Sequence, residues 1–132
     1  MNYPKDVNEN IIFRAKCLLK AQQSDTFKVA LYKKCKEDIL FWVNVFCWTK
    51  DQRIRPSSIL PFITYPFQDS AIKIIEQAID NQNDLLIEKS RDMGASWMVL
   101  YVYAHKWLFE EGLSIFIYCL KDILAATSDS SR

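Results

Sequence analysis

Glycine occurs only twice in this 132-residue chain, as Gly94 and Gly112. A glycine costs a helix about 1 kcal/mol relative to alanine, so a chain that avoids it is predicted to be rich in helix. The two positions that keep it mark places where the backbone turns in a way other residues resist. Half of the residues are hydrophobic and 14% are aromatic, which excludes a disordered chain. At this length folding buries roughly two thirds of the unfolded surface, so a true core is expected.

The apolar spacing predicts helices through the first half. Over 8–23, Ile11, Ile12, Ala15, Leu18 and Leu19 recur at helical intervals and are expected to face inward, with Arg14, Lys16 and Lys20 on other faces. Ser24 and Asp25 then offer a stop and a new N-cap. A second helix is predicted from Thr26 to Trp48, with Phe27, Leu31, Cys35, Ile39 and Trp42 as its stripe. From Phe41 onward it is apolar all round, so that end is expected to be buried. Pro56, Pro61 and Pro66 make 50–66 a loop that also holds Arg53 and Arg55. A third helix is predicted from Phe67 to Asn81, with Ile72, Ile75, Ala78 and Ile79 inward, closed by the polar break from Asn81 to Asp84.

Beyond that break the pattern changes. Leu85-Leu86-Ile87 reads as a short buried strand of the kind found in parallel sheets. A helix follows from Ser96 to Glu111, and Gly112 stands where a C′ glycine would end it. Ser114 to Cys119 reads as a second buried strand. Strand, loop, helix, glycine and strand make a βαβ unit. The expected fold class is therefore α/β: a helical lead-in over 1–66, a partial parallel-sheet domain over 67–124, and a small polar tail over 125–132 expected to be disordered. Two parallel strands alone leave unpaired edges and an apolar face, with Trp97, Tyr101, Trp107 and Phe109 short of partners. Marginal stability or self-association is the expectation.

Several function classes find no support in composition. The formal net charge is +1, which is no global signature of a nucleic-acid binder, and Lys28, Lys33, Lys34 and Lys36 read as a solvated helix face. The four cysteines, Cys17, Cys35, Cys47 and Cys119, contain no CxxC pair, and His105 is the only histidine; this is not the spacing of a zinc site. Reduced thiols in a cytosol are the simplest reading. No apolar run has the length of a membrane span, since Asn44 interrupts the most apolar stretch, and the first ten residues lack the order of a secretory signal.

The chemistry centres on the loop from Glu88 to Trp97. A loop that leaves a buried strand and enters a helix aims backbone N–H groups and the helix N-terminus at one point, which favours a phosphate. The standard phosphate-binding loop is Gly, four residues, Gly-Lys and Ser or Thr. Here Gly94 is the second glycine and Ser96 the hydroxyl, but Lys89 stands at the first glycine's place and Ala95 at the lysine's. A lysine is long and flexible enough to reach a β- or γ-phosphate from either end. Arg91 adds a second cation, and the Ser96 hydroxyl is a candidate Mg²⁺ ligand. The plain alternative is an ordinary strand-to-helix turn, with Gly94 at a positive φ and Ser96 as N-cap.

The string Lys89-Ser90-Arg91-Asp92-Met93-Gly94-Ala95-Ser96 resembles the deviant Walker A loop of viral terminase large subunits, the ATP-driven motors that package DNA into capsids. It matches the family form Lys-Ser-Arg-x-x-Gly-x-Ser at every fixed position. Upstream, Tyr65-Pro66-Phe67-Gln68 is similar to the family's adenine-recognising segment. The resemblance implies a P-loop ATPase fold, with ATP and Mg²⁺ as cofactors. It implies phosphate contacts from Lys89 through Ser96, an adenine contact from the Gln68 amide, and packing of Phe67 or Tyr65 on the base. It covers roughly Phe41 to Ser114. Implied partners of an intact family member are double-stranded DNA, the portal and the small terminase subunit, in the cytoplasm of a bacterial host and without a membrane.

The chain departs from the family after Ser96. A Walker B strand, four apolar residues ending in Asp and Glu, does not follow; Cys119-Leu120-Lys121-Asp122 has one carboxylate and no adjoining Glu. The acidic cluster of a nuclease domain is missing too. The expectation is an N-terminal fragment, the product of a phage or prophage gene, that binds nucleotide without efficient hydrolysis, so enzyme activity stays open. The competing expectation is a small helical interaction protein whose βαβ element is structural and whose contact surface is formed by aromatic-rich stretches such as Phe41 to Trp48.

Overall fold

The computed structural model describes residues 2–51, 58–90, 93–112 and 114–115. Five helices carry the fold: α1 (Val7–Gln23), α2 (Asp25–Glu37), α3 (Ile39–Phe46), α4 (Pro66–Asp80) and α5 (Ala95–Phe109). Two short strands, β1 (Trp48–Asp51) and β2 (Ser58–Pro61), pair antiparallel with Trp48 opposite Pro61 and Lys50 opposite Ile59.

Each of the first three helices starts on a side-chain cap that satisfies otherwise orphaned N–H groups. The Asp6 carboxylate accepts from the Asn8 and Glu9 amides, both at 3.0 Å. The Ser24 hydroxyl accepts from Phe27 at 3.3 Å, and Asp38 from Phe41 at 3.0 Å. Burial works to raise the Asp38 pKa, but its bond to Lys34 and the Phe41 N–H together hold it below its ordinary value. This cap corrects the single helix expected from Thr26 to Trp48. Asp38 adopts an extended conformation and divides it into α2 and α3, while Trp48 begins β1.

The short α3 is apolar all round because it serves two cores. On one side Ile39, Val43 and Cys47 pack with Phe62, Ile72, Met98 and Val102 of the later elements. On the other, Phe41 and Val45 pack with Cys17, Leu31 and Cys35 of α1 and α2. The inward face expected of α4 holds: Ile72 and Ile75 are buried, and Ala78 and Ile79 are partly covered.

The expected inward face of α1 is corrected. Ile11, Ile12, Ala15, Leu18 and Leu19 are exposed, and the helix buries Asn10, Arg14 and Cys17 instead. The carbonyls at the end of α3 explain this. Arg14 is only 4% exposed; its guanidinium donates to the Asn44 carbonyl at 2.7 Å and to the Cys47 carbonyl at 2.8 Å. Its Nε donates to Asn10 Oδ1 at 2.6 Å, and Asn10 donates to the Asn44 carbonyl at 3.2 Å. A cation and an amide are thus drawn into the interior because a helix C-terminus there needs donors.

Two further expectations change. The segment 50–66 is not all loop, because β2 lies within it and pairs with β1. Leu85-Leu86-Ile87 forms no strand and is exposed, Leu86 at 96%. A parallel strand is held only by a neighbour's ladder, and among the described residues nothing pairs with it. Of the second expected strand, Ser114 and Ile115 are described and are not in a strand; 116–119 and the tail lie outside the described residues. The βαβ unit is therefore not formed among the described residues, whose one sheet is antiparallel. No helix of these residues is long and apolar enough to cross a membrane.

Candidate functional site

The first turn of α4 and the start of α5 meet through one side chain. Pro66 at N1 pre-sets the helical φ, and Gln68 Oε1 accepts from the Tyr65 amide at 3.0 Å. The other end of that amide, Nε2, donates to the Met93 carbonyl at 3.1 Å. Gln68 is 6% exposed, so it is a bridge between helix and loop and not a surface residue of a first turn. Each amide atom retains capacity, one further N–H on Nε2 and one lone pair on Oε1.

Gly94 follows immediately, with φ 73° and ψ 16°, and is the N-cap of α5. The glycine is needed twice over. Its φ lies in the left-handed region, and a Cβ placed on it would stand 2.9 Å from Gln68 Nε2. Having no side chain, Gly94 gives α5 no side-chain cap. The first intrahelical bond runs from Met98 to the Gly94 carbonyl, so the amides of Ala95, Ser96 and Trp97 have no acceptor within the helix. Ser96 lies one residue inside the helix, exposed; the alternative that made it the N-cap is thereby corrected.

These elements enclose a cleft of about 730 Å³ whose lining includes Lys50, Leu60, Tyr65, Gln68, Lys89, Gly94, Ala95, Ser96 and Trp97. The size falls within the range of small-ligand sites. Lys89 and Ser96 also line a smaller adjoining cleft with Ile87, Val99 and Leu100. Residues from Tyr65 to Trp97, up to 32 positions apart in sequence, thus converge on one space. Of the expected site residues, Gln68, Lys89, Gly94, Ala95 and Ser96 come together there. Ser90, Phe67 and Met93 are not part of its lining, and the Met93 carbonyl serves only to hold Gln68. Phe67 stacks on Tyr65 with ring centroids 5.9 Å apart, so between those aromatics it is Tyr65 that faces the cleft. Arg91 and Asp92 lie outside the described residues.

Sequence reasoning missed Lys50, which the unrecognised hairpin delivers. It also missed the support behind the cleft. Tyr101 stacks on Trp97 at 5.7 Å and donates its hydroxyl to the Trp48 carbonyl. Burial, then the neighbouring Cys47, pushes the Tyr101 pKa up to about 12, so the phenol remains a donor. Behind Tyr65, the Lys5 ammonium donates to Thr64 Oγ1 at 2.7 Å, to the Thr64 carbonyl at 2.9 Å and to Asp69 at 3.2 Å. Asn44, fully buried, accepts the Thr64 amide at 2.9 Å. The segment that carries Tyr65 from β2 into α4 is thereby tied to α3 and to the N-terminal segment.

Among the described residues no group of three or more His, Cys, Asp or Glu is placed to hold a metal ion. A divalent cation would fit here only with anionic ligands from a bound molecule beside the Ser96 hydroxyl. The chain matches no family model, no curated protein and no solved structure.

Proposed function

We propose that this cleft binds Mg²⁺·ATP and that the chain is the N-terminal part of a DNA-packaging motor of the terminase large-subunit type. The observation that carries the reading is the Gln68 bridge. It joins the segment resembling an adenine-recognition motif to the loop resembling a deviant Walker A, and both line one cleft.

The residues fit the ligand chemically. The uncapped start of α5 offers backbone N–H groups and the positive end of a helix dipole to a phosphate. Lys89 supplies a mobile positive charge, and Ser96 a hydroxyl for Mg²⁺. Tyr65 would pack on the base while the spare donor and acceptor of Gln68 meet its edge. The proposal is one of binding. Double-stranded DNA, the portal and the small subunit belong to it as partners, and a bacterial cytoplasm as location.

Trp97 in the lining provides a reporter. Titration with Mg²⁺·ATP should change tryptophan fluorescence saturably. Lys89→Ala or Gln68→Ala should each weaken binding about tenfold, or about 1.4 kcal/mol. Absent binding, or binding indifferent to both changes, sinks the reading and favours the interaction-protein alternative. The surface expected for that second reading, Phe41 to Trp48, is largely buried, and the exposed apolar stripe of α1 is what favours it instead.

A further inference from the structure

We infer that the N-terminal segment is a clamp on the base end of the cleft, with Lys5 as a positioning residue that fixes Tyr65 and Gln68 from behind. The inference rests on the nucleotide reading of that cleft.

Lys5 reaches this place because α1 is fixed. Asn10 and Arg14 bind the carbonyls at the end of α3, and Asn10 Nδ2 also donates to the Pro4 carbonyl at 2.8 Å. The backbone just before Lys5 is therefore anchored to the helix that follows it, and Asp6, just after, caps that helix. From this anchored position the ammonium reaches Thr64 and Asp69, far along the chain.

Its contacts fall on either side of the two residues that face the base. Thr64 precedes Tyr65 and accepts from Lys5 through its hydroxyl at 2.7 Å and its carbonyl at 2.9 Å. Asp69 follows Gln68 and accepts at 3.2 Å. The Thr64 hydroxyl donates in turn to Asp69. Asn44 Oδ1 accepts from Lys5 at 3.2 Å and from the Thr64 amide at 2.9 Å. On the cleft side the same turn is closed by the Tyr65 amide, which donates to Gln68 Oε1. One charged group thus ties together both ends of the segment from Thr64 to Asp69, and bonds to a charged group are the stronger kind.

Lys5 acts from outside the cleft. It lines a second space of about 500 Å³ with Thr64, Asp69 and Tyr65, and Tyr65 lines the cleft as well, so Tyr65 is the wall between them. That wall is 64% exposed, and Phe67, on which it stacks, is 46% exposed. Packing alone does not hold the ring, so its backbone has to. Releasing Lys5 frees both ends of the turn, whereas the Gln68 bond to the Met93 carbonyl still holds the loop that leads to α5. Recognition of the base should therefore suffer more than recognition of the phosphates.

Calorimetric titration of the full chain with Mg²⁺·ATP and with Mg²⁺·tripolyphosphate, which has the phosphates and no base, tests this. Lys5→Met should weaken ATP about fivefold and leave tripolyphosphate within about twofold. Lys5→Arg should restore ATP, since a guanidinium also donates to Thr64 and Asp69. Asp69→Asn leaves the Thr64 bonds of Lys5 in place and makes the same comparison in a milder variant. It should weaken ATP about twofold and add little in a Lys5→Met background. In the nucleotide-free chain, the side-chain amide resonances of Gln68, assigned by Gln68→Ala, should move in Lys5→Met and return in Lys5→Arg. This readout separates the two readings. Resonances that respond to Lys5 in a chain that binds no ATP sink the nucleotide reading and leave the clamp standing. Resonances that ignore Lys5→Met, or ATP and tripolyphosphate weakened alike, overturn the clamp.

Discussion

Gln68 Nε2 holds the Met93 carbonyl at 3.1 Å, and Gly94, the next residue, leaves no room for a β-carbon beside that same nitrogen. The contact joins the first turn of α4 to the residue that starts α5, so loop geometry and helix capping depend on one amide. Gly94→Ala acts on both. A non-glycine residue in the left-handed region costs about 1–2 kcal/mol, and the added methyl displaces Gln68. The urea midpoint should fall accordingly, and Mg²⁺·ATP affinity should fall with it. A variant of wild-type stability would show that Gly94 is free to relax.

Arg14 is the cation that the fold can least spare. Burial depresses its pKa, yet it stays charged because guanidinium is protonated at any ordinary pH. Arg14→Met takes one of two donors from each of the Asn44 and Cys47 carbonyls and leaves the buried Asn10 Oδ1 without Arg14 Nε, at a cost of roughly 2 kcal/mol. Arg14→Lys should recover only part, since an ammonium lacks the planar fork that reaches both carbonyls and Asn10. Ile12→Ser, on the exposed face, should stay within about 0.5 kcal/mol. Denaturant midpoints at constant slope decide among these outcomes.

The contrast between Arg14 and Ile12 shows what was legible in the sequence. The periodicity of α1 gave the helix but assigned its faces by hydrophobicity alone. The face that mattered was set by unsatisfied carbonyls on α3, a tertiary demand absent from local pattern. Asp38 was legible in principle, as an N-cap residue just before an apolar run, but the continuous stripe through Cys35 and Ile39 masked it. Leu85 to Ile87 has the composition of a buried strand, and composition does not supply a pairing partner. The cleft was legible where the chemistry is local: Gly94 for its conformation, Lys89 and Ser96 for their charge and hydroxyl. Gln68 was found through its resemblance, and its bridging role needed the meeting of α4 and α5.

The thiols give a direct test of the two cores. Cys17, Cys35 and Cys47 are buried and free. Burial raises all three pKa values, with Cys35 and Cys47 pushed up to about 12. Since the thiolate is the nucleophile, none should react with a disulfide reagent near neutral pH while the chain is folded. Of four cysteines in the sequence, less these three, at most Cys119 should react quickly. Denaturant should release the other three. Fast reaction of more than one thiol in the native chain would place one of these residues at the surface.

Lys106 ties the far ends of the two cleft helices together, and its pH dependence has a definite sign. Its side chain is 7% exposed and pairs with Asp80 at the end of α4 and Glu110 just beyond α5. Burial works to lower its pKa, but the bonds to Asp80 and Glu110 outweigh it, so the folded value lies above the ordinary one. A lysine whose folded pKa is raised contributes stability that is fully present below its unfolded pKa of about 10.4. That contribution is lost as pH rises through the folded value. Lys106→Met leaves both carboxylates half exposed and hydrated, so it should cost only about 1 kcal/mol at neutral pH. Denaturation at stepped pH should show a constant gap between the two proteins from about pH 6 to 9, closing above about pH 10.5. A gap that widens with rising pH would mean that burial, and not the two carboxylates, governs Lys106.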